Sequence, residues 1–485
     1  MSPYASAHAL RQAFARGKLG AHEWMRAQIA HIERADVAIH AVVVRDFDRA
    51  LAAAREADAR RTRGEARPLE GVPVTVKESI HVEGLPCTVG RLEARDWRPA
   101  ADAPAVRRLR AAGAIVIGKT NVPPEISDWQ AGNDVYGRTS NPWDLSRTSG
   151  GSSGGAAAVA AGCSALDLGS DIGGSVRVPS AFCGVYGLRP SDTLIARSGQ
   201  LPVPAVPHSG AVLAVFGPIA RAPADLDLAL TALAGADVGE DRAWRVSLPP
   251  PRVRRLAGAR IALLRPPACA PVAPEVAAAL ESTADALRRA GAIVAPAMPD
   301  GFGDGRESMR LYMRLLGYMM MSRWPEALRQ KRARDMAASG CEFQAAMAEG
   351  MVCSGAQVFG WYLAREGVRQ GWRRFFEGWD ALLTPAFHTT AFPHRPHGEP
   401  ALTAWHDQTV TVAGQVLPYT RGLFYPHVAT LAGQPAVTLP AGLSAEGLPV
   451  GLQLVGPYLE DRTLTRLAAL IARENGGFLE PPWTA

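Results

Sequence analysis

Gly150-Gly-Ser-Ser-Gly-Gly155 and Gly169-Ser-Asp-Ile-Gly-Gly-Ser175-Val-Arg-Val-Pro179 are two serine-glycine loops separated by an Ala-rich segment. Successive glycines let a backbone approach a ligand closely and aim several amides at one point, which is what an oxyanion hole requires. A plain glycine turn explains two such loops poorly. Upstream, Val72-Pro-Val-Thr-Val76 is a short apolar, β-branched run that reads as a buried strand, and it ends on Lys77. A serine hydroxyl is a weak nucleophile and needs a base within reach. A lysine at the end of an apolar strand is desolvated, which lowers its proton affinity and frees a lone pair. The chain has four lysines (Lys18, Lys77, Lys119, Lys331) against 48 arginines. A retained lysine is informative here, because arginine cannot give up its proton.

Two generic patterns compete for the same residues. Gly113-Ala-Ile-Val-Ile-Gly118-Lys119-Thr120 fits the P-loop formula. Its middle residues are themselves a β-branched strand, so the backbone cannot wrap a phosphate there. Gly150-Gly-Ser152-Ser-Gly154 fits the GxSxG elbow, with His388, His394, His397, His406 and His427 following. That elbow needs a strand immediately before it, and Asn141–Ser149 reads as loop.

Outward from these loops, helices and strands alternate, which argues an α/β fold. Residues 5–65 read as helices, as do 104–112, 155–162, 222–235, 273–291 and 460–474. Strands are expected at 114–117, 260–264, 292–295, 380–383, 437–440 and 450–455. Residues 132–187 read as glycine- and serine-rich chain broken only by the helix at 155–162. The proline-rich passages Leu248–Val253 and Pro393–Pro400 read as loops within one domain, residues 1–485. The catalytic core is expected at about 66–230, and a helical, substrate-facing insertion at about 300–380. Eight of eleven methionines fall between Met309 and Met351, as helix core or as an adaptable apolar pocket wall.

A hydrophobic content of 47% and a charged content of 20% are those of a globular protein. The net charge of +6 is spread among interspersed acids and bases, so neither a nucleic-acid stripe nor a membrane surface is expected. No run is long and apolar enough to span a bilayer, and no signal peptide opens the chain; a cytoplasmic location follows as the expectation. Cys87, Cys163, Cys183, Cys269, Cys341 and Cys353 are too sparse for a disulfide framework and read as small buried hydrophobes.

Further blocks complete the pattern: Leu69-Glu-Gly-Val-Pro-Val-Thr-Val-Lys77, Gly118-Lys-Thr-Asn-Val-Pro123, Tyr136-Gly-Arg-Thr-Ser-Asn-Pro-Trp-Asp144, Phe182-Cys-Gly-Val-Tyr-Gly-Leu-Arg-Pro190, Asp380-Ala-Leu-Leu-Thr-Pro385 and Gly447-Leu-Pro-Val-Gly-Leu-Gln-Leu-Val-Gly456. With the two loops, they resemble the amidase signature family over most of the chain. The resemblance implies a single α/β domain around a mixed, mostly parallel sheet flanked by helices. It implies a Ser–cisSer–Lys triad in which Ser175 is the nucleophile, Ser152 the relay after a cis peptide bond, and Lys77 the base. The amides of Ile172, Gly173, Gly174 and Ser175 would form the oxyanion hole, with Gly151, Ser153, Asp171 and Arg177 in support. Ile126 and Trp129 would face the substrate. The implied activity is hydrolysis of a carbon–nitrogen bond (amide, anilide or carbamate), with no metal or organic cofactor; the Trp- and Met-rich character near Ile126, Trp129 and 309–361 leans the expected substrate towards a small, bulky apolar or aromatic molecule. The alternative is the glutaminase subunit of a tRNA-dependent amidotransferase complex; a homodimer is left open. The chain departs from the family in four places. The Ser152–Ser175 segment is one residue short, the missing residue falling just after Gly155. Ser149 replaces a proline, Glu78 an aspartate and Arg189 a lysine.

Overall fold

The computed structural model describes residues 1–203, 212–396 and 408–482. Among them, eleven strands hydrogen-bond into one sheet. In chain order these are β1 (Val42–Arg45), β2 (Pro73–Lys77), β3 (Ile115–Thr120), β4 (Leu166–Asp171), β5 (Tyr186–Arg189), β6 (Val215–Ala220), β7 (Arg260–Leu263), β8 (Ile293–Pro296), β9 (Ala381–Pro385), β10 (Ala436–Leu443) and β11 (Pro449–Val455). Their order across the sheet is β1-β3-β2-β4-β6-β5-β10-β11-β9-β7-β8. The sheet is mixed, as expected, but it is not mostly parallel. Only β3–β2, β2–β4, β9–β7 and β7–β8 run parallel; the other six neighbours are antiparallel. Parallel neighbours need a crossover, and helices Pro104–Ala111 and Pro274–Arg289 supply it between β2 and β3 and between β7 and β8. In the middle, β10 and β11 are joined by a short turn instead, so alternation of helix and strand overstates parallel pairing there.

β4, β5 and β6 lie in or just beyond the glycine-rich stretch and are absent from the sequence-based expectation. Gly169 of β4 and Gly217 of β6 face each other in register. A Cβ on Gly217 would lie 2.1 Å from the Leu188 carbonyl oxygen. Glycine here permits close strand packing, not looping. β1 interrupts the expected N-terminal helices, which are Ala7–Ala15, Ala21–Ile39 and Phe47–Thr62. His40, in the left-handed region at φ 56, ends the second of them.

Two short helices frame the serine loops: α1 (Gly155–Ala160) and α2 (Arg177–Cys183). The long helical stretch resolves into α3 (Arg306–Met321), α4 (Glu326–Ala337), α5 (Glu342–Met351) and α6 (Gly355–Gly378). Pro325 opens α4, and Gly340, at φ +73, separates it from α5. Ser354 starts α6 with a reciprocal capping box to Gln357. On β7 and β9 successive residues enter different apolar cores: Ile261 and Leu263 one, Ala262 the other; Ala381 and Leu383 one, Leu382 the other. The second core holds Met309, Met313, Met321, Met336, Met347 and Met351. Most of the methionines are therefore helix core. Of the two proline-rich passages, Pro393–Pro400 lies outside the described residues from 397 onward. All six cysteines are free, and five are buried. Among the described residues no helix is long and apolar enough to cross a membrane.

Candidate active site

β2, paired on both sides, is buried along its whole length and ends on Lys77, which is fully buried. Its Nζ donates to Ser152 Oγ at 2.9 Å and to the Ser170 carbonyl at 3.4 Å. Ser152 Oγ in turn donates to Ser175 Oγ at 3.0 Å. The three predicted groups thus form one hydrogen-bonded chain. The Gly151–Ser152 peptide bond is cis, and a Cβ on Gly151 would lie 2.3 Å from the Asp128 carbonyl oxygen; only glycine fits. Ser153 Oγ accepts from the Gly155 amide at 3.1 Å at the start of α1. Burial pushes Lys77 down to about 7, against the opposing charges of Asp171 and Asp167. A neutral amine is therefore accessible near neutral pH.

Ser175 stands between β4 and α2, and the loop around it is pinned from several sides. Asp171 and Arg177 form a fully buried ion pair at 2.9 Å. Against the cost of burial, Arg177 holds the Asp171 carboxyl well below the usual range. Arg177 also donates to the Pro426 carbonyl, Gln453 Oε1 of β11 and Thr430 Oγ1, at 2.9, 3.0 and 2.8 Å. The Gly174 amide donates to Asp171 Oδ1 at 3.0 Å. Of the four amides expected to form the oxyanion hole, that of Gly174 is thus committed to the loop's own carboxylate. Gly174 is still required, since its φ of +98 favours glycine and a Cβ would lie 2.8 Å from Pro426 Cγ.

Ile126 and Trp129 line a pocket together with Ser175, Ile172 and Gly173. Leu316 and Met320 of α3, with Leu423, close its other side, and Ser127 and Asp128 complete the lining. The insertion thus does reach the pocket, though through one methionine. Trp129 Nε1 donates to the Gly173 carbonyl at 3.3 Å, and Tyr312 Oη to that of Ile172 at 2.8 Å. Two carbonyls of the loop before Ser175 are thereby held by aromatic side chains.

The competing patterns do not survive. Gly118-Lys119-Thr120 is inside β3, so no phosphate cradle exists. The stretch before Ser152 is a short strand, Asp144–Thr148, and not the loop expected. Ser152, however, bonds to Lys77 and Ser175. His388 and His427 face the backbone carbonyls of Pro271 and Phe424, while His397 and His406 lie outside the described residues. Three residues went unsingled in the sequence: Tyr312, Asp128 and Asp167. Asp167 carried a legible signal, a charged residue inside the apolar run Ala165-Leu-Asp-Leu168.

A chain of this geometry, a serine hydroxyl relayed through a second serine after a cis bond to a buried lysine, defines a class. A family model described as Amidase matches residues 23–465, and the chain belongs to that family, the amidase signature enzymes. Among curated proteins it is similar to a glutamyl-tRNA(Gln) amidotransferase subunit of Chloroflexus aggregans, with 33% identity over 96% of this chain and 95% of that one. Among solved structures it resembles a chain of a vestigial protein complex that bears on the origins of an s-triazine catabolic enzyme. That match has a TM-score of 0.81 and 28% identity, covering 98% and 100% of the two chains. It also resembles 6-aminohexanoate cyclic dimer hydrolase bound to substrate, with a TM-score of 0.78 and 26% identity over 100% and 98%.

Proposed function

We propose that the chain is a hydrolase of carbon–nitrogen bonds that works through an acyl-enzyme on Ser175. The observation that carries this is the Lys77–Ser152–Ser175 chain with its two short links. With Lys77 neutral, the hydroxyl directions reverse: Ser175 gives its proton to Ser152 Oγ, and Ser152 gives its own to Lys77 Nζ. Ser175 Oγ attacks the carbonyl carbon, and the amides of Ile172, Gly173 and Ser175 receive the charge on its oxygen. The protons then return along the same chain to the leaving nitrogen. Water, deprotonated by the same relay, releases the acid. Asp171, Arg177, Gly151 and Ser153 hold the two loops in place. We read the chain as one catalytic domain acting in the cytoplasm on a small-molecule amide, its α3 helix walling the acyl pocket.

Two readings of the substrate remain distinct. The likeness to an amidotransferase component supports a glutaminase role within a tRNA-dependent complex more strongly than it supports a bulky apolar substrate. The pocket pulls the other way: its described lining has one carboxyl, Asp128, and otherwise neutral side chains, with no arginine or lysine to hold a free amino acid's carboxylate. Assay of the purified chain against glutamine and against a panel of anilides, carbamates and aliphatic amides decides between them. Glutamine turnover with an inert panel supports the glutaminase; aryl or cyclic amide turnover without glutaminase activity supports the stand-alone amidase. Near-wild-type turnover by Ser175→Ala would overturn both.

A further inference from the structure

Asp167 is a fully buried carboxyl to which the steps above give no task. It sits on β4 in register with Thr75 of β2. Lys77 lies two residues beyond Thr75, so the two side chains share a face of the strand, and Lys77 is in register with Thr120 of β3. Thr75 Oγ1 donates to Asp167 Oδ1 at 2.9 Å, and Thr120 Oγ1 donates to the same oxygen at 3.1 Å. To meet hydroxyls on both strands, the carboxyl must lie over β2, on the face that carries Lys77. Its other oxygen, Oδ2, is buried with no hydrogen-bond partner among the described residues. Oδ2 is pressed against the start of α1: a Cβ on Gly155 would lie 2.0 Å from it. Glycine there makes the room that the carboxyl fills.

The charged groups around Lys77 can be sorted. Asp171, on β4, is neutralised by Arg177 of α2 and also receives Arg189 on its backbone carbonyl. Lys119 is in register with Val76, not Lys77, and its ammonium is held by the Pro86 carbonyl; the Glu78 carboxylate, just past the end of β2, accepts from the amides of Thr88 and Val89. α1 is built of glycine, alanine and valine and presents no ionisable group. Among the described residues Asp167 is left with one cation acting on it, Lys77.

We propose that Asp167 is a positioning residue for the reaction: its carboxyl, laid over β2 on the face that carries the lysine, is a counter-charge that, together with Asp171, keeps Lys77 basic enough to receive the serine proton. Burial alone makes a lysine acidic, and a base that holds its proton too weakly cannot draw one from a serine. Burial pushes Asp167 up to about 7 and Lys77 down to about 7. Against that burial, each charge favours the other: the ammonium lowers Asp167 and the carboxylate raises Lys77. When Lys77 takes the proton of Ser152, as Ser152 takes that of Ser175, the ammonium forms on the strand face over which the Asp167 carboxylate lies.

This inference rests on Lys77 being the base, so the test runs three variants side by side: Lys77→Ala, Asp167→Asn and Thr120→Val. The readouts are the pH profile of kcat/KM, the separate values of kcat and KM, and the melting temperature. Asp167→Asn keeps shape and removes charge. Its acid limb is expected to move down by about one pH unit, with kcat at the plateau reduced about tenfold and KM unchanged. Thr120→Val, which removes one donor to the carboxylate, should move the limb the same way by less; it stands in if the asparagine variant does not fold. Unmoved limbs with only a lowered melting temperature would overturn the role of Asp167 while Lys77→Ala stays inactive. Activity retained in Lys77→Ala would instead overturn the base itself.

Discussion

Lys77 is the residue on which the chemistry turns. Its buried amine titrates near 7, and the neutral form is the base. Activity should therefore rise as pH passes upward through about 7, read as the acid limb of kcat/KM. Lys77→Arg should not rescue Lys77→Ala, because a guanidinium keeps its proton. Stability runs with the same sign. The unfolded lysine binds its proton up to about 10.4, and the folded one loses it near 7, so burial destabilises the native state fully below 7 and progressively less between the two values. Lys77→Met should abolish turnover yet raise the melting temperature at pH 7. The gap to wild type should narrow towards pH 10, and a constant gap across that range would contradict the assignment. Lys77, Ser152 and Ser175 were all legible in the sequence because rare chemistry stood in an unusual frame: a lysine in an arginine-rich chain, and serines among glycines. Asp167 left a trace as a charge inside an apolar run, but its task did not, because its partners Thr75 and Thr120 lie on other strands; the commitment of the Gly174 amide to Asp171, three residues back, shows only in the folded loop.

At the level of elements, the site hangs between the ends of β2 and β4 and the two loops that lead into α1 and α2. β4 escaped the sequence reading because its Gly169, Ser170 and Asp171 look like loop residues. Burial and cross-strand register with β6, not local preference, make them a strand. The loop after β4 is fixed by the Asp171–Arg177 pair. Arg177→Met leaves a charge buried without a partner and should cost about 3–5 kcal/mol in denaturant unfolding, with kcat falling as the loop loosens. The Asp171 carboxyl is held below its usual range, so its contribution is present at neutral pH and lost as pH falls through that lowered value. The difference between wild type and Arg177→Met should accordingly shrink in strong acid. Gly151→Ala places a carbon 2.3 Å from the Asp128 carbonyl. It should remove activity even where the protein still folds, as circular dichroism would show.

For the molecule as a whole, alternating helix and strand revealed the α/β class, while the direction of the central strands stayed hidden, because a short turn and a long crossover read alike in hydrophobic pattern. The helical insertion was visible as a methionine-rich block, yet only folding shows that most of it is core and that Leu316 and Met320 face the pocket. Cutting back that wall should alter which acyl groups enter: Met320→Ala is expected to change KM across an amide panel far more than it changes the rate of acylation by a small substrate. The central claim is that Ser175 is the nucleophile and that Lys77, through Ser152, makes it one. Its most direct test is covalent labelling of the whole protein with a fluorophosphonate, followed by peptide mapping and timed at several pH values. One adduct on Ser175, forming faster as pH rises through about 7 and slowed about 10³-fold or more in Lys77→Ala, is the predicted result. An adduct on Ser152 or another nucleophile, or an unchanged labelling rate in Lys77→Ala, would contradict it.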